Sequence, residues 1–230
     1  MTRADFCQSY SENECSNVAP ACLVTEADCQ SVRQAWCMAW GQSEEDAQPS
    51  RPFDPQNAQA CLSTVSAVFG ALKSNLGIQA SDYLSIDKAC TRVFHGSAQA
   101  NDTCGVDADC SGSMTCDKGR CGNAHQVDPG AGCANIGESC PPGYYCGGET
   151  GVFVCEVRPG AGANCGDGVP CLEDLRCASG VCAARLLIGT ACQDDGDCAS
   201  QFCEPFALKC GTDVRFADGT PACQAYQSGG

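Results

Sequence analysis

The sequence predicts a small disulfide-rich fold, with an N-terminal disulfide-linked α-helical domain followed by tandem four-cysteine β-hairpin repeats. Three observations predict it. The chain holds 24 cysteines in 230 residues, above the content that marks a disulfide scaffold. Apolar residues recur at helical spacing through residues 1–100 and not beyond. From Cys104 onward, four sets of four cysteines begin 29, 32 and 27 residues apart, which is a repeat period.

In residues 1–100, Phe6 and Tyr10 lie one turn apart in a first helix that carries Cys7 and Cys15. Thr25-Glu26-Ala27-Asp28 has the form of a capping box and opens a second helix with Cys29, Trp36, Cys37 and Trp40. Asp54 can cap a third helix, and Pro55 suits its first position. Its apolar face reads Leu62, Val65, Phe69, Leu72 and Leu76. A fourth, short helix is expected to hold Ile86, Cys90, Val93 and Phe94, with Gly96 as its stop. Gly41–Arg51 reads as a solvated loop. Cys7 and Cys15, like Cys29 and Cys37, are eight residues apart, so each pair lies roughly along one helix face. Two antiparallel helices can then be riveted as Cys7–Cys37 and Cys15–Cys29. Trp36 and Trp40 are expected in the core of that hairpin.

The repeats occupy about 101–127, 128–158, 159–186 and 187–213. Their cysteines are Cys104, Cys110, Cys116 and Cys121; Cys133, Cys140, Cys146 and Cys155; Cys165, Cys171, Cys177 and Cys182; and Cys192, Cys198, Cys203 and Cys210. The last two of each set flank a turn, as in Cys116-Asp117-Lys118-Gly119-Arg120-Cys121, which reads as a small β-hairpin. A unit of this size lies below the ~40 residues that a hydrophobic core can hold unaided. First-to-third and second-to-fourth pairing is the expected connectivity. Cys223 stands 31 residues after Cys192 and by position begins a truncated tail repeat. Seven cysteines precede residue 101, so three closures stay open for Cys223. It pairs with the odd front-half cysteine among Cys22, Cys61 and Cys90, the repeat frame shifts, or it bonds another chain.

Metal-thiolate and redox sites use C-x-C or C-x-x-C pairs, and this sequence has neither. Cysteine at this density then implies an oxidising, extracytoplasmic compartment, with the protein secreted or at the cell surface. Met1–Cys7 contains no apolar run of the signal-peptide kind, so the natural signal is read as absent from this chain. Gln227-Ser228-Gly229-Gly230 reads as a tail or a cut linker. No stretch is long enough for membrane insertion. Net charge is −15, divided as −5 over residues 1–100 and −10 over residues 101–230. Such a surface repels nucleic acid and anionic lipid.

The phrase Cys104-Gly105-Val106-Asp107-Ala108-Asp109-Cys110, continuing to Cys116 and Cys121, resembles the repeat labelled Dickkopf N-terminal-like or EGF-like. Cys192-Gln193-Asp194-Asp195-Gly196-Asp197-Cys198 repeats it. A helical, cysteine-bearing front followed by such repeats resembles secreted or lipid-anchored cysteine-rich proteins of the myxobacterial type. The resemblance implies export and a surface role, and supplies no catalytic residue. The second repeat departs from the pattern, with eight residues in its last gap and Ile136-Gly137-Glu138-Ser139 in place of the acidic phrase.

Function follows by weighing side chains. Asp107 and Asp109, with Asp194, Asp195 and Asp197, are the calcium candidates, because clustered loop carboxylates suit a hard cation. Neither stretch matches an EF-hand, and loop aspartates more often accept backbone hydrogen bonds. Otherwise no cofactor is expected. His95 and His125 are isolated and form no zinc site. No base, nucleophile and oxyanion site occur together, so the protein is expected not to be an enzyme. The expected function is a surface binding or structural module for an unidentified protein or surface ligand. The alternatives are a protease inhibitor, with Arg158, Arg176 or Arg185 as bait, and a spacer or self-assembling polymer subunit.

Overall fold

The structure is a computed structural model and describes residues 1–47, 51–73, 77–148 and 152–227. All 24 cysteines are disulfide-bonded and none is free. The chain forms two compact units, Met1–Gly96 together with Glu204–Gly230, and Ser97–Cys203.

The first unit is helical. Helix α1 spans Arg3–Ala21. Thr2 caps it reciprocally: the Asp5 amide donates to Thr2 Oγ1 at 3.2 Å, and the Thr2 amide donates to the Asp5 carboxylate at 2.8 Å. Helix α2 spans Glu26–Ala47, and its entry is held by Thr25, which accepts from the Asp28 amide at 3.1 Å. Helix α3, Pro55–Gly70, starts as the sequence predicts, with Asp54 accepting from the Gln56 and Asn57 amides and Pro55 in the first turn. Helix α4 spans Ala80–Cys90. Cys7–Cys37 and Cys15–Cys29 rivet α1 to α2, and Cys61–Cys90 joins α3 to α4. Phe6, Val18, Val65, Phe69 and Val93 are fully buried. Leu76 lies outside the described residues.

Four expectations change. First, α2 runs on to Ala47, into the stretch read as a loop. Gly41 is a point of close approach within the helix, since a Cβ there would lie 2.8 Å from Arg3 Cδ and 3.0 Å from Phe94 Cζ. Arg51, placed in the same solvated stretch, is buried and 3.7 Å from Glu44. Pro49 lies outside the described residues. Second, Trp36 is 47% exposed. It stacks on its neighbour Trp40 with ring planes 9° apart, and Arg33 lies over it at 4.2 Å. Helical spacing placed both indoles on one face, but that face borders the core rather than entering it. Third, α4 ends at Cys90, because Val93 and Phe94 turn into extended chain. There the Asp54 amide donates to Val93 O at 2.8 Å, and Phe53 bridges Phe94, so Gly96 stops no helix.

Fourth, the tail forms no truncated repeat. Asp213–Arg215 pairs antiparallel with Gly77–Gln79, with Ile78 opposite Val214 and both buried. A last helix, α5, spans Pro221–Gln227 and carries Cys223, which bonds Cys22 at the end of α1 across a sequence separation of 201. Val214, Phe216 and Tyr226 are buried in the helical unit, so apolar side chains recruit the tail and the cystine fixes it. Of the three closures open for Cys223, this is the long-range bond to a front-half cysteine, and it leaves no thiol for a bond to another chain.

The second unit contains the first three repeats and the fourth as far as Cys203. Its hairpins pair Thr115–Asp117 with Arg120–Gly122, Tyr144–Gly147 with Val154–Val157, and Leu175–Ala178 with Val181–Ala184. In each, the third and fourth cysteines face one another in register, as Cys116 and Cys121 do. Each then bonds backward, first to third and second to fourth: Cys104–Cys116 and Cys110–Cys121, Cys133–Cys146 and Cys140–Cys155, Cys165–Cys177 and Cys171–Cys182. In the fourth set Cys192 bonds Cys203, and Cys198 and Cys210 are disulfide-bonded as well. The two-residue turns Lys118-Gly119 and Ser179-Gly180 all have positive φ, the geometry whose twist matches a hairpin. The main chain repeats too, with the amides of Cys104, Cys133 and Cys165 donating to Gly119, Phe153 and Gly180. Buried sulfur is the core: Cys104, Cys110 and Cys121 cluster in the first repeat, and Cys165, Cys171 and Cys182 in the third.

Candidate binding surface

The five aspartates singled out for calcium hold backbone. Asp109 accepts from the Gly105 and Val106 amides at 2.6 and 3.1 Å, and Asp107 accepts from the Cys116 amide at 2.7 Å. The fourth repeat copies this arrangement. Asp197 accepts from the Gln193 amide at 3.0 Å, Asp194 accepts from the Asp197 amide at 3.1 Å, and Asp195 accepts from the Cys203 amide at 2.7 Å. In both repeats an aspartate thus clasps the amide of the third cysteine. Among the described residues, the groups whose donor atoms lie close enough for one metal ion are all cysteine triplets. Their sulfurs are already in disulfides.

Four of the five basic side chains of this unit splint one repeat to the next, and Arg120 bonds within its own. Lys118 Nζ donates to the carbonyls of Cys133 and Asn135 at 2.6 and 3.0 Å. Arg158 donates to Tyr144 O and Cys171 O and lies 3.6 Å from Glu173. Arg176 reaches Asp197, and Arg185 reaches Cys198 O. Arg120 donates to Asn101 O. The three arginines offered as protease bait are therefore held along the repeats, and Arg158 and Arg176 are only 28% and 26% exposed. Carboxylates complete the splints, as Asp117 accepts from the Gly137 amide at 2.9 Å and Glu173 from the Gly143 amide at 2.6 Å. The Gly143 N–H holds the Glu173 carboxyl below its usual range. Asn135, through its side chain and amide, does the same for Glu138.

The histidines stay apart. His95 Nδ1 lies 2.7 Å from Gly96 O and Nε2 lies 2.9 Å from Asp54 Oδ2, so it buttresses the α3 cap. Burial pushes the Asp54 carboxyl up, but the Asn57 and Gln56 amides and His95 outweigh it and hold it low. His125 lies 3.8 Å from Glu138.

Two features escaped the sequence reading. In the helical unit, Glu14 and Arg33 form a buried two-bond ion pair at 2.6 and 3.1 Å. Arg33 lies between the Trp36 and Tyr226 rings, at 4.2 and 4.8 Å from their centroids, and Tyr226 donates to Glu14 at 3.4 Å. Burial lowers the Arg33 guanidinium, and the Glu14 carboxylate more than reverses that, so it is held charged. Burial also pushes the Tyr226 and Tyr10 hydroxyls far up. The 19-residue separation of Glu14 and Arg33 gives no periodic signal, and only the riveted hairpin brings them together. In the repeat unit, an open groove of ≈ 460 Å³ lies between the second hairpin and the first loop of the third repeat. Tyr145, Gly147, Phe153, Glu156 and Val169 line it. The eight-residue last gap of the second repeat is the signal that could have found it. Val152, Phe153 and Val157 on that hairpin are 69%, 40% and 68% exposed, and Leu187 and Ile188 before the fourth repeat are 74% and 68% exposed.

No protein-family model and no solved structure matches the chain. Among curated proteins it is similar to Cell-cell adhesion glycoprotein 64 of Heterostelium pallidum, 28% identical over 115 residues that make up 48% of this chain. The chain spans 35% of that relative's length. The cysteine-rich, fully disulfide-bonded fold and this similarity are consistent with an extracellular, surface-binding role. Among the described residues, no helix is long and apolar enough to cross a membrane.

Proposed function

We propose that the chain is a non-enzymatic, extracytoplasmic binding module that presents its disulfide-clasped repeats as an adhesive surface. One observation carries this reading. The five basic side chains of Ser97–Cys203 and the aspartates of its acidic phrases hold main chain or one another, while large apolar side chains stand exposed. A surface whose ionic groups stiffen the scaffold and whose apolar groups face outward is suited to recognition of a partner. The similarity to a relative named for cell-cell adhesion supports the same reading. On this reading the aspartates are loop clasps and calcium is not required.

The test is binding of beads coated with the oxidised chain to cells of the source organism and to one another. Binding that survives chelation of divalent cations and disappears after disulfide reduction is expected. Coated beads that bind neither cells nor beads more than albumin-coated controls would overturn the proposal.

A further inference from the structure

We propose that the groove beside the second hairpin receives a lysine or arginine side chain of a partner protein. This deepens the adhesive reading and rests on it. Tyr145 and Glu156 are direct cross-strand partners. The Tyr145 hydroxyl donates to Glu156 Oε2 at 3.0 Å, and Glu156 Oε1 has no protein partner among the described residues. Gly147 makes room for the pair, since a Cβ there would lie 2.8 Å from both Glu156 Oε2 and Tyr145 Cε2. Phe153 and Val169 supply apolar walls. A long basic side chain suits this combination. Its methylene stem lies along the apolar wall, its charged head meets the carboxylate, and the Tyr145 ring adds attraction for the cation.

Charge complementarity points the same way. Residues 97–203 hold fourteen acidic and five basic side chains, and all five basic groups are bound elsewhere. Lys118, Arg120, Arg158, Arg176 and Arg185 reach carbonyls or Asp197. Arg158 is two residues from Glu156, yet its guanidinium goes to Tyr144 O and Cys171 O. The exposed carboxylate oxygen of Glu156 is therefore open to a cation supplied by a partner.

The experiment is an amide-shift titration of the intact oxidised chain with an end-blocked tri-lysine peptide at low salt, with tri-alanine and a neutral trisaccharide as comparators. Shifts confined to Tyr145, Gly147, Phe153 and Val169 are expected with tri-lysine alone. Glu156→Gln should weaken binding by about 1.4- to five-fold, the range of an exposed ion pair. Asp218→Asn, which removes the same charge in the helical unit, should leave it unchanged. Equal weakening by both variants, shifts spread along the repeats, or a response to the trisaccharide that survives Glu156→Gln would overturn the proposal. Bead binding to cells is read separately. Its failure with the tri-lysine response intact sinks the adhesive reading and spares the groove, and the converse sinks the groove alone.

Discussion

The helical unit and the repeat unit use the same cross-link for different ends. In the helical unit, disulfides secure elements that already share an aromatic and aliphatic core, as Cys61–Cys90 does beside Leu62, Val65 and Phe69. In the repeat unit, the buried cluster is the cystines themselves, with a few neighbours such as Ala98, Met114 and Leu175. Where sulfur supplies the interior, apolar side chains are not needed inside, and large ones can face outward. The difference teaches that exposed Val152, Val157, Leu187 and Ile188 reflect freedom from packing. That freedom is what a recognition surface requires.

The sharpest way to break this comparison is to remove one cystine from each unit. Replacing Cys110 and Cys121 together by serine should cost about 3 kcal/mol, the chain-entropy value for a short loop. With little else buried beyond Cys104, Ala108 and Gly122, the first repeat should lose most of its amide protection. The same change at Cys61 and Cys90 should cost a similar amount, yet α3 should stay protected by Leu62, Val65 and Phe69. Hydrogen exchange with peptide resolution checks both. A first repeat that keeps slow amides without its cystine would show that the main-chain bonds suffice.

The second test concerns Glu14 and Arg33, the ionic node of the helical unit. Arg33→Met leaves a buried carboxylate unpaired and should destabilise the unit by about 3–5 kcal/mol. Glu14→Leu with Arg33→Met should recover much of that loss, since neither charge then stays buried alone. Guanidinium unfolding followed by far-ultraviolet dichroism reads both variants. A single-variant loss below about 1 kcal/mol, the range of a surface pair, would mean the node is solvated.

The two units were also unequally legible in the sequence. The repeats declared themselves by cysteine spacing, and the expected first-to-third and second-to-fourth pairing is the one found in the first three, although a hairpin that sets its two cysteines side by side does not by itself choose it. The front helices and their rivets followed from eight-residue cysteine spacing and the Asp54-Pro55 start. Illegible parts depended on distant residues. Gly41 reads as a breaker until Arg3 and Phe94 are seen against it. The tail reads as a fifth repeat until Val214, Phe216 and Tyr226 are seen buried in the helical unit. At the candidate site, the aspartates were noticed correctly as a motif, but their amide partners emerge only from the folded loop. The eight-residue gap marks the hairpin side of the groove, but its other wall, Gly168 and Val169 of the third repeat, comes into place only in the folded chain.

A third prediction sharpens the clasp reading within the repeats. Asp195→Ala strands the Cys203 amide and should destabilise the fourth repeat by about 1–2 kcal/mol, the cost of leaving a donor unsatisfied. Asp107→Ala should do the same in the first repeat, at the Cys116 amide, and neither should affect the other. Millimolar calcium should leave the unfolding midpoint of the native chain unchanged, because the carboxylates serve backbone. A midpoint that rises with calcium, and ceases to rise in Asp195→Ala, would return these residues to metal binding.

The smallest expected effect separates splints from clasps by pH. Glu173 belongs to the third repeat and accepts from the Gly143 amide of the second. That hydrogen bond holds its carboxyl below the ordinary glutamate value of 4.5. A group whose folded pKa is depressed stabilises the fold above its unfolded pKa and loses that contribution as pH falls through the folded value. Acidification below 4.5 should therefore release the Gly143 amide while neighbouring cystines stay closed. The Gly143 amide shift should titrate with a midpoint under 4.5, and Glu173→Gln should abolish that titration. Because the carboxylate is exposed, the accompanying change in global stability should be slight. A midpoint at or above 4.5 would show that the splint does not bind the charged form. The two repeats would then be joined at this point by Arg158 alone.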